Sequence, residues 1–175
     1  KLSREELTEI EKASLPGPGS CSMMGTANTM ACLLEALGMS PTGCATMLAV
    51  DPLRPALARE AGRLVMECLR QNLTPRQIVT RQAIENAMAV DMALGGSTNS
   101  VLHLLALAHQ AEIPLDLDEF DVMARRVPHL CNVKPSGKYA VGRMHEAGGI
   151  PALMHEIGSL LHLDVPTVTG RTMRE

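Results

Sequence analysis

Apolar positions recur every three or four residues along most of this chain, the period of helices rather than of strands. Ser3-Arg-Glu-Glu is a capping-box pattern, and Leu7, Ile10 and Ala13 fall on one face behind it. Residues 26–37 read as a helix stopped at Gly38, with Pro41 preventing a restart. A long helix is expected over 52–72, with Leu57, Ala61, Leu64, Val65, Cys68 and Leu69 facing inward. Thr74-Pro75 fits an N-cap followed by proline at the first helical position, and Thr80 offers a second cap. Residues 101–109 form another apolar helix behind Gly95-Gly96-Ser97-Thr98, and Asp118 is placed to cap 120–126. Strand signals are short: 47–50, 130–133 and 165–169. Together these elements predict a helix-rich α/β layer with helices around a small parallel sheet.

One segment breaks the periodicity. Residues 15–30 place Cys21 on a Pro/Gly-rich loop directly before a helix start. Glycine and proline fix an unusual backbone path there, and the following helix N-terminus offers free N–H groups that stabilise negative charge. A thiolate so placed can serve as nucleophile or metal ligand, whereas the alternative is a buried free cysteine at a tight turn. Gly17-x-Gly19 is not a dinucleotide fingerprint, since no strand precedes it and the third glycine is missing. Ser97, Thr98 and Asn99 read first as an N-cap, and second as hydroxyl and amide groups suited to a carboxylate or phosphate oxygen.

Composition narrows the function classes. A net charge of −3 over 175 residues supplies no basic patch for nucleic acid, and no apolar run approaches a membrane span. The five cysteines (21, 32, 44, 68 and 131) lack CxxC pairing and disulfide-scaffold density, so reduced thiols are expected. Cys32, Cys44, Cys68 and Cys131 read as packing residues. With one Phe and one Tyr, the twelve methionines are core filler. No histidine pair has metal-ligand spacing; His103 reads as a core histidine, and His145-Glu146 as a polar turn.

Pro-Gly-x-Gly-x-Cys ending at Cys21, followed by Gly25-Thr-Ala-Asn-Thr-Met30, resembles the iron–sulfur loop of the dihydroxy-acid and phosphogluconate dehydratases. Ala93-Leu-Gly-Gly-Ser-Thr-Asn99, Lys134-Pro-Ser-Gly-Lys-Tyr139, His145-Glu-Ala-Gly-Gly-Ile-Pro-Ala152 and Thr167-Val-Thr-Gly170 match the same family in order. The resemblance implies an α/β/α sandwich, of which residues 1–175 are a single partial domain inside a longer enzyme. It also implies an iron–sulfur cluster ([2Fe-2S] or [4Fe-4S]) with Cys21 as one thiolate ligand, and a Mg2+ ion. The other two cluster cysteines and the Asp-Lys pair for magnesium belong upstream, and a catalytic serine downstream. By itself the segment is therefore expected to be inactive.

The implied reaction is loss of water from a small-molecule 2,3-dihydroxy acid to give a 2-keto acid, in a cytoplasmic homodimer or dimer of dimers that binds neither nucleic acid nor membrane. Ser22, Thr26, Asn28, Ser97 and Thr98 are candidate substrate or cluster-loop contacts. Thr26-Ala-Asn-Thr-Met30 and His145-Glu-Ala-Gly-Gly149 resemble the branched-chain amino-acid dehydratases, while Met24-Gly-Thr-Ala27 is closer to the sugar-acid enzymes. Dihydroxy-acid dehydratase is the first expectation, a sugar-acid dehydratase the second, and a cluster-free scaffold the third.

Overall fold

The computed structural model describes residues 2–14, 18, 19 and 21–175; Gly17 and Ser20 of the Cys21 loop lie outside the described residues. Among the described residues nine α-helices follow in order: α1 (Arg4–Ser14), α2 (Thr26–Ala36), α3 (Arg54–Gln71), α4 (Pro75–Ile78), α5 (Arg81–Leu94), α6 (Asn99–Gln110), α7 (Asp118–Arg126), α8 (Val141–Glu146) and α9 (Gly149–Glu156). A single 3-10 turn, Gly158–Leu160, ends the series.

The helix start and stop signals act as their chemistry demands. Glu6 N donates to Ser3 Oγ at 3.2 Å and Ser3 N donates to Glu6 Oε2 at 2.7 Å, a reciprocal capping box. Thr74 and Gln77 form a second box, and Thr80 Oγ1 accepts from Ala83 N at 3.2 Å at the head of α5. Gly38 ends α2 at φ 76°, where a Cβ would stand 3.0 Å from the Pro166 carbonyl. That close approach lets Val168 N donate to Gly38 O at 2.8 Å, docking the C-terminal segment on α2. Asp118 is the first residue of α7; Leu117 holds the cap position, without a side-chain bond, so Asp118 instead complements the positive end of the helix.

α5 is the centre of the core. Ten of its fourteen residues are buried, from Ala83 to Leu94, and α2, α6, α7 and α9 pack around it. Alanines 36, 83, 87, 89 and 93 are fully buried, which lets backbones approach, while Leu33, Leu37, Ile84, Met88, Leu94 and Leu104 fill the space rings would otherwise take. Met23, by contrast, is exposed, and so are Leu48 and Met66. Polar pins hold the layers in register. Asn86, fully buried, donates to His162 O at 2.9 Å and accepts from His162 N at 2.8 Å. Arg81 ties α5 to α7 through Glu119 and the Pro114 carbonyl.

Two expectations change here. No β-ladder forms among the described residues; there are only isolated bridges between Val133 and Tyr139 and between Pro166 and Thr172. The backbone groups of the three apolar runs are satisfied locally. The Met47 and Leu48 carbonyls accept from the Arg54 guanidinium. Leu130 N and Cys131 N both donate to Ala93 O at the end of α5. Thr167 N closes on Arg171 O, a turn too short to extend a ladder. The second change is on α3 and α1. Val65 and Leu69 are 60% and 69% exposed, Leu64 is the one buried residue of α3, and α1 buries none.

Two truncations test this division between core and periphery. Ile84→Ala should cost about 2–5 kcal/mol in chemical denaturation, as a cavity at a fully buried site. Ile10→Ala, on exposed α1, should fall within about 0.5 kcal/mol of the parent.

Candidate functional site

The Cys21 loop is built by donors that converge on a few carbonyls. Met23 O accepts from Asn28 Nδ2 at 2.7 Å, from Gly25 N at 2.9 Å and from the Cys21 thiol at 3.4 Å. Asn28 Nδ2 also reaches Cys21 O at 3.4 Å. The loop is fastened to the rest of the chain from the other side. Met24 N donates to Lys134 O at 2.6 Å, and Val141 N donates to Ser22 O at 2.9 Å. Met24, buried, plugs the core beneath, leaving Cys21 and Ser22 exposed. An open cleft of about 370 Å³ lies beside them, lined by Cys21, Ser22, Asn28, Thr46, Arg54 and Val141 among others.

A second polar cluster joins the N-termini of α2 and α6. Thr26 Oγ1 lies 3.0 Å from Ser97 Oγ and accepts from Asn99 Nδ2 at 2.8 Å. Ser97 N donates to Thr29 Oγ1 at 3.0 Å, and Gly96 N to Asp91 O at 3.1 Å. The 95–99 turn is thereby clamped over the end of α5. A Cβ on Gly96 would stand 2.1 Å from Asp91 Oδ1 and 2.7 Å from Thr29 Cγ2, so no larger residue fits there.

The anticipated contacts therefore divide. Cys21, Ser22 and Asn28 share the cleft, and Thr26 and Ser97 meet at the adjoining helix ends. Thr98 joins neither: it is exposed, and although it holds the N-cap position of α6 its side chain caps nothing. Of the trio expected to cap α6, Ser97 alone does so, accepting from Asn99 N at 3.3 Å. His103 is exposed, a correction to its expected place in the core, because it lies on the outer face of α6.

The other cysteines behave as packing residues. Cys32 is fully buried, and burial pushes its thiol up to about 12. Burial also raises the thiols of Cys44 and Cys131, and Cys68 Sγ lies 3.5 Å from Val168 O. Among the described residues no cluster of three His, Cys, Asp or Glu side chains could hold a metal ion. Cys21 is thus an exposed thiol whose local partner is a single carbonyl, a donor set that suits one corner of a shared metal group rather than a complete site.

Three features of the site went unnoticed in the sequence. Thr46, buried, lies 2.9 Å from His145 Nδ1, and His145 Nε2 is 3.9 Å from Asp51 Oδ2, so His145, expected in a polar turn, sits in α8 and anchors it to the cleft wall. Arg54 brings a cation to the cleft while its guanidinium holds the Met47 and Leu48 carbonyls. Asp91 is a buried carboxyl inside the apolar run 87–94 of α5, and that interruption of the apolar pattern was the signal available.

A helical layer that presents one exposed loop thiol beside clustered hydroxyl and amide groups forms a candidate binding face. Comparison with known proteins gives it a family. The dihydroxy-acid/6-phosphogluconate dehydratase N-terminal family matches residues 1–175, and the chain belongs to that family. Similar curated proteins include the dihydroxy-acid dehydratase of Chloroflexus aurantiacus, 49% identical over 177 residues, and that of Roseiflexus sp. (strain RS-1), 50% identical over 177. The dihydroxy-acid dehydratase of Methanosarcina barkeri is 49% identical over 175 residues. Each comparison covers 100% of this chain and 32% of the relative. The chain therefore spans about a third of the length of these relatives.

Gly96→Ala tests the clamp. It should destabilise the fold by about 1–3 kcal/mol through forced displacement of Asp91 or Thr29. An unchanged denaturation midpoint would show that the turn does not sit this close.

Proposed function

We propose that this chain is the cluster-anchoring part of a dihydroxy-acid dehydratase, a hydro-lyase that converts 2,3-dihydroxy carboxylic acids to 2-keto acids in branched-chain amino-acid biosynthesis. The observation that carries this reading is Cys21: an exposed thiol on a loop fixed from both sides, in a family of dehydratases and in a chain about half identical to three proteins of that name. Cys21 supplies one thiolate to an iron–sulfur cluster, [2Fe-2S] or [4Fe-4S], and the remaining ligands, with those of Mg2+ and the catalytic serine, come from residues outside 1–175. When bound, the metals supply Lewis acidity for the C3 hydroxide that departs and a hold on the substrate carboxylate.

The chain's own contribution is placement. Asn28 fixes the carbonyls that flank Cys21, so the thiol meets its metal without reorganising the loop. Ser22 and Asn28 line the cleft where a polar substrate would enter, and Thr26 and Ser97 present hydroxyls at two helix N-termini, where negative charge is favoured. Thr98, exposed beside them, remains available to a substrate or a facing segment. The helical layer takes its place within an α/β/α sandwich whose strands lie outside the described residues, with 1–175 a partial domain of a cytoplasmic homodimer or dimer of dimers. A sugar-acid substrate is the second reading. At Gly25 a Cβ would meet Cys21 Sγ and Met23 Cε at ordinary contact distance, 3.9 Å, and the lack of any side chain there favours a longer polyol chain.

The test is Cys21→Ser in the complete, anaerobically purified protein, scored by iron and sulfide content, visible spectrum and 2-keto acid release from dihydroxyisovalerate and from sugar acids. Loss of iron and of turnover together is expected. Retained iron with retained activity would remove Cys21 from the ligand set.

A further inference from the structure

Ser100 has one hydroxyl hydrogen and two acceptors competing for it. Its Oγ lies 2.5 Å from Asp91 Oδ2 and 2.5 Å from the Ser97 carbonyl. If Asp91 is ionised, one of these short contacts sets oxygen against oxygen with no hydrogen between them. Both are satisfied in a single arrangement: an Asp91 Oδ2–H donates to Ser100 Oγ, and Ser100 Oγ–H donates to Ser97 O. The other oxygen, Oδ1, agrees. It is buried without any partner, and the Cα of Gly96 closes over it. An unpaired carbonyl oxygen of a neutral acid is tolerated there at far lower cost than half of a carboxylate.

We propose that Asp91 keeps its proton in the folded protein into mildly acidic solution, where surface aspartates have ionised, and that this proton, relayed through Ser100, makes it a positioning residue for the 95–99 turn and for the Thr26–Ser97 contact at the Cys21 site. Ser97 O takes both the Ser100 amide, at 2.9 Å, and the Ser100 hydroxyl, while Ser97 N and Oγ are held by Thr29 and Thr26. When Asp91 loses its proton, the Ser100 hydroxyl turns to the carboxylate, Ser97 O keeps only the amide, and the hydroxyl end of the site loosens.

Asp91 is 4% exposed, and burial pushes its carboxyl up to about 6 against the pull of a Ser100 hydroxyl donating to it. Once that hydrogen goes to Ser97 O the opposing pull is gone and the acid form is favoured further. Among the described residues no charged side chain neutralises Asp91. The titratable groups around it are the Cys32 thiol on α2, itself raised by burial, and the His129 ring packed on Gly95; α6 contributes only Ser100, the buried residues of α7 are Phe120 and Met123, and those of α9 are Gly149, Ile150, Leu153 and Met154, its His155 and Glu156 being exposed. A folded value above the unfolded 3.8 means the folded state binds the proton more tightly. Its stabilising contribution is complete below pH 3.8 and is lost as pH rises through about 6.

The protonation rests on Asp91, Ser100 and Ser97, not on the dehydratase reading, and its readouts need neither iron nor turnover. In the complete protein, 13C labelling of aspartate should show one carboxyl resonance that remains in the acid form at pH 5, where surface aspartates have ionised, and that disappears in Asp91→Asn. The asparagine amide N–H replaces the acid hydrogen toward Ser100, so the variant should not respond to this titration. Its melting temperature relative to the parent should therefore rise by about 2 °C between pH 4 and pH 7. Amide exchange at Ser97 should lose protection above about pH 6 in the parent and stay protected in Asp91→Asn. A carboxyl already ionised at pH 5, or a parent-to-variant difference that is flat with pH, overturns the proposal; should Asp91→Asn fail to fold, the titration in the parent decides alone.

Discussion

The packing of α2 against α5 is the constraint on which the rest depends. Both helices bury small residues together with Leu and Ile, so their backbones run close, and the loops at their ends have little freedom left. The Cys21 loop enters α2, and the Gly95-Gly96 turn leaves α5. Because the two helices are fixed, Thr29 on one and Asp91 on the other reach the same turn from opposite sides. Buried contacts thus hold the polar turn beside the site, while the Cys21 loop is held by exposed hydrogen bonds to its own carbonyls.

The core reaches this rigidity almost without rings. A single Phe and a single Tyr leave methionine, leucine and alanine to fill it, and the polar pins matter more as a result. Asn86 locks the 162 segment onto α5, Glu35 accepts from Gly43 N and from Ala45 N at 3.0 Å, and Asp91 with Ser100 locks the α6 turn. Each is a buried polar group that would be costly unpaired and is specific when paired. Two of the three define the walls around the candidate site: Glu35 shapes the 43–46 loop behind the cleft, and Asp91 the polar turn beside it.

The sequence disclosed the helices well, because caps and stops are local. Ser3 with Glu6, Thr74 with Pro75, Thr80 and Gly38 each mark a boundary that the fold keeps. It disclosed the sheet poorly. The runs at 47–50, 130–133 and 165–169 have strand-like composition, but the groups that satisfy their backbones are distant in sequence or belong to a neighbouring turn. The inward face assigned to α3 held only in part for a related reason: an apolar stripe states what a helix could bury, and within the described residues Leu64 is buried, Leu57, Ala61 and Cys68 are half-buried, and Val65 and Leu69 stay exposed. At the site, Cys21 was legible from its loop, and so were Thr26 and Ser97 as polar groups at helix starts. Their mutual contact spans 71 residues and had no local sign. Asp91 carried a sign, a carboxyl within an apolar run, whose meaning required its partner Ser100 nine residues on.

Among the measurements open to this protein, cysteine mapping bears most directly on the claim that the fold exists to present one thiol to a metal group. The complete protein would be purified anaerobically, alkylated before and after removal of iron by a chelator, and read by mass spectrometry. The account predicts that Cys21 is protected while iron is bound and alkylated quickly once it is removed, with buried Cys32 unreactive in both states. Rapid alkylation of Cys21 at full iron content would contradict it.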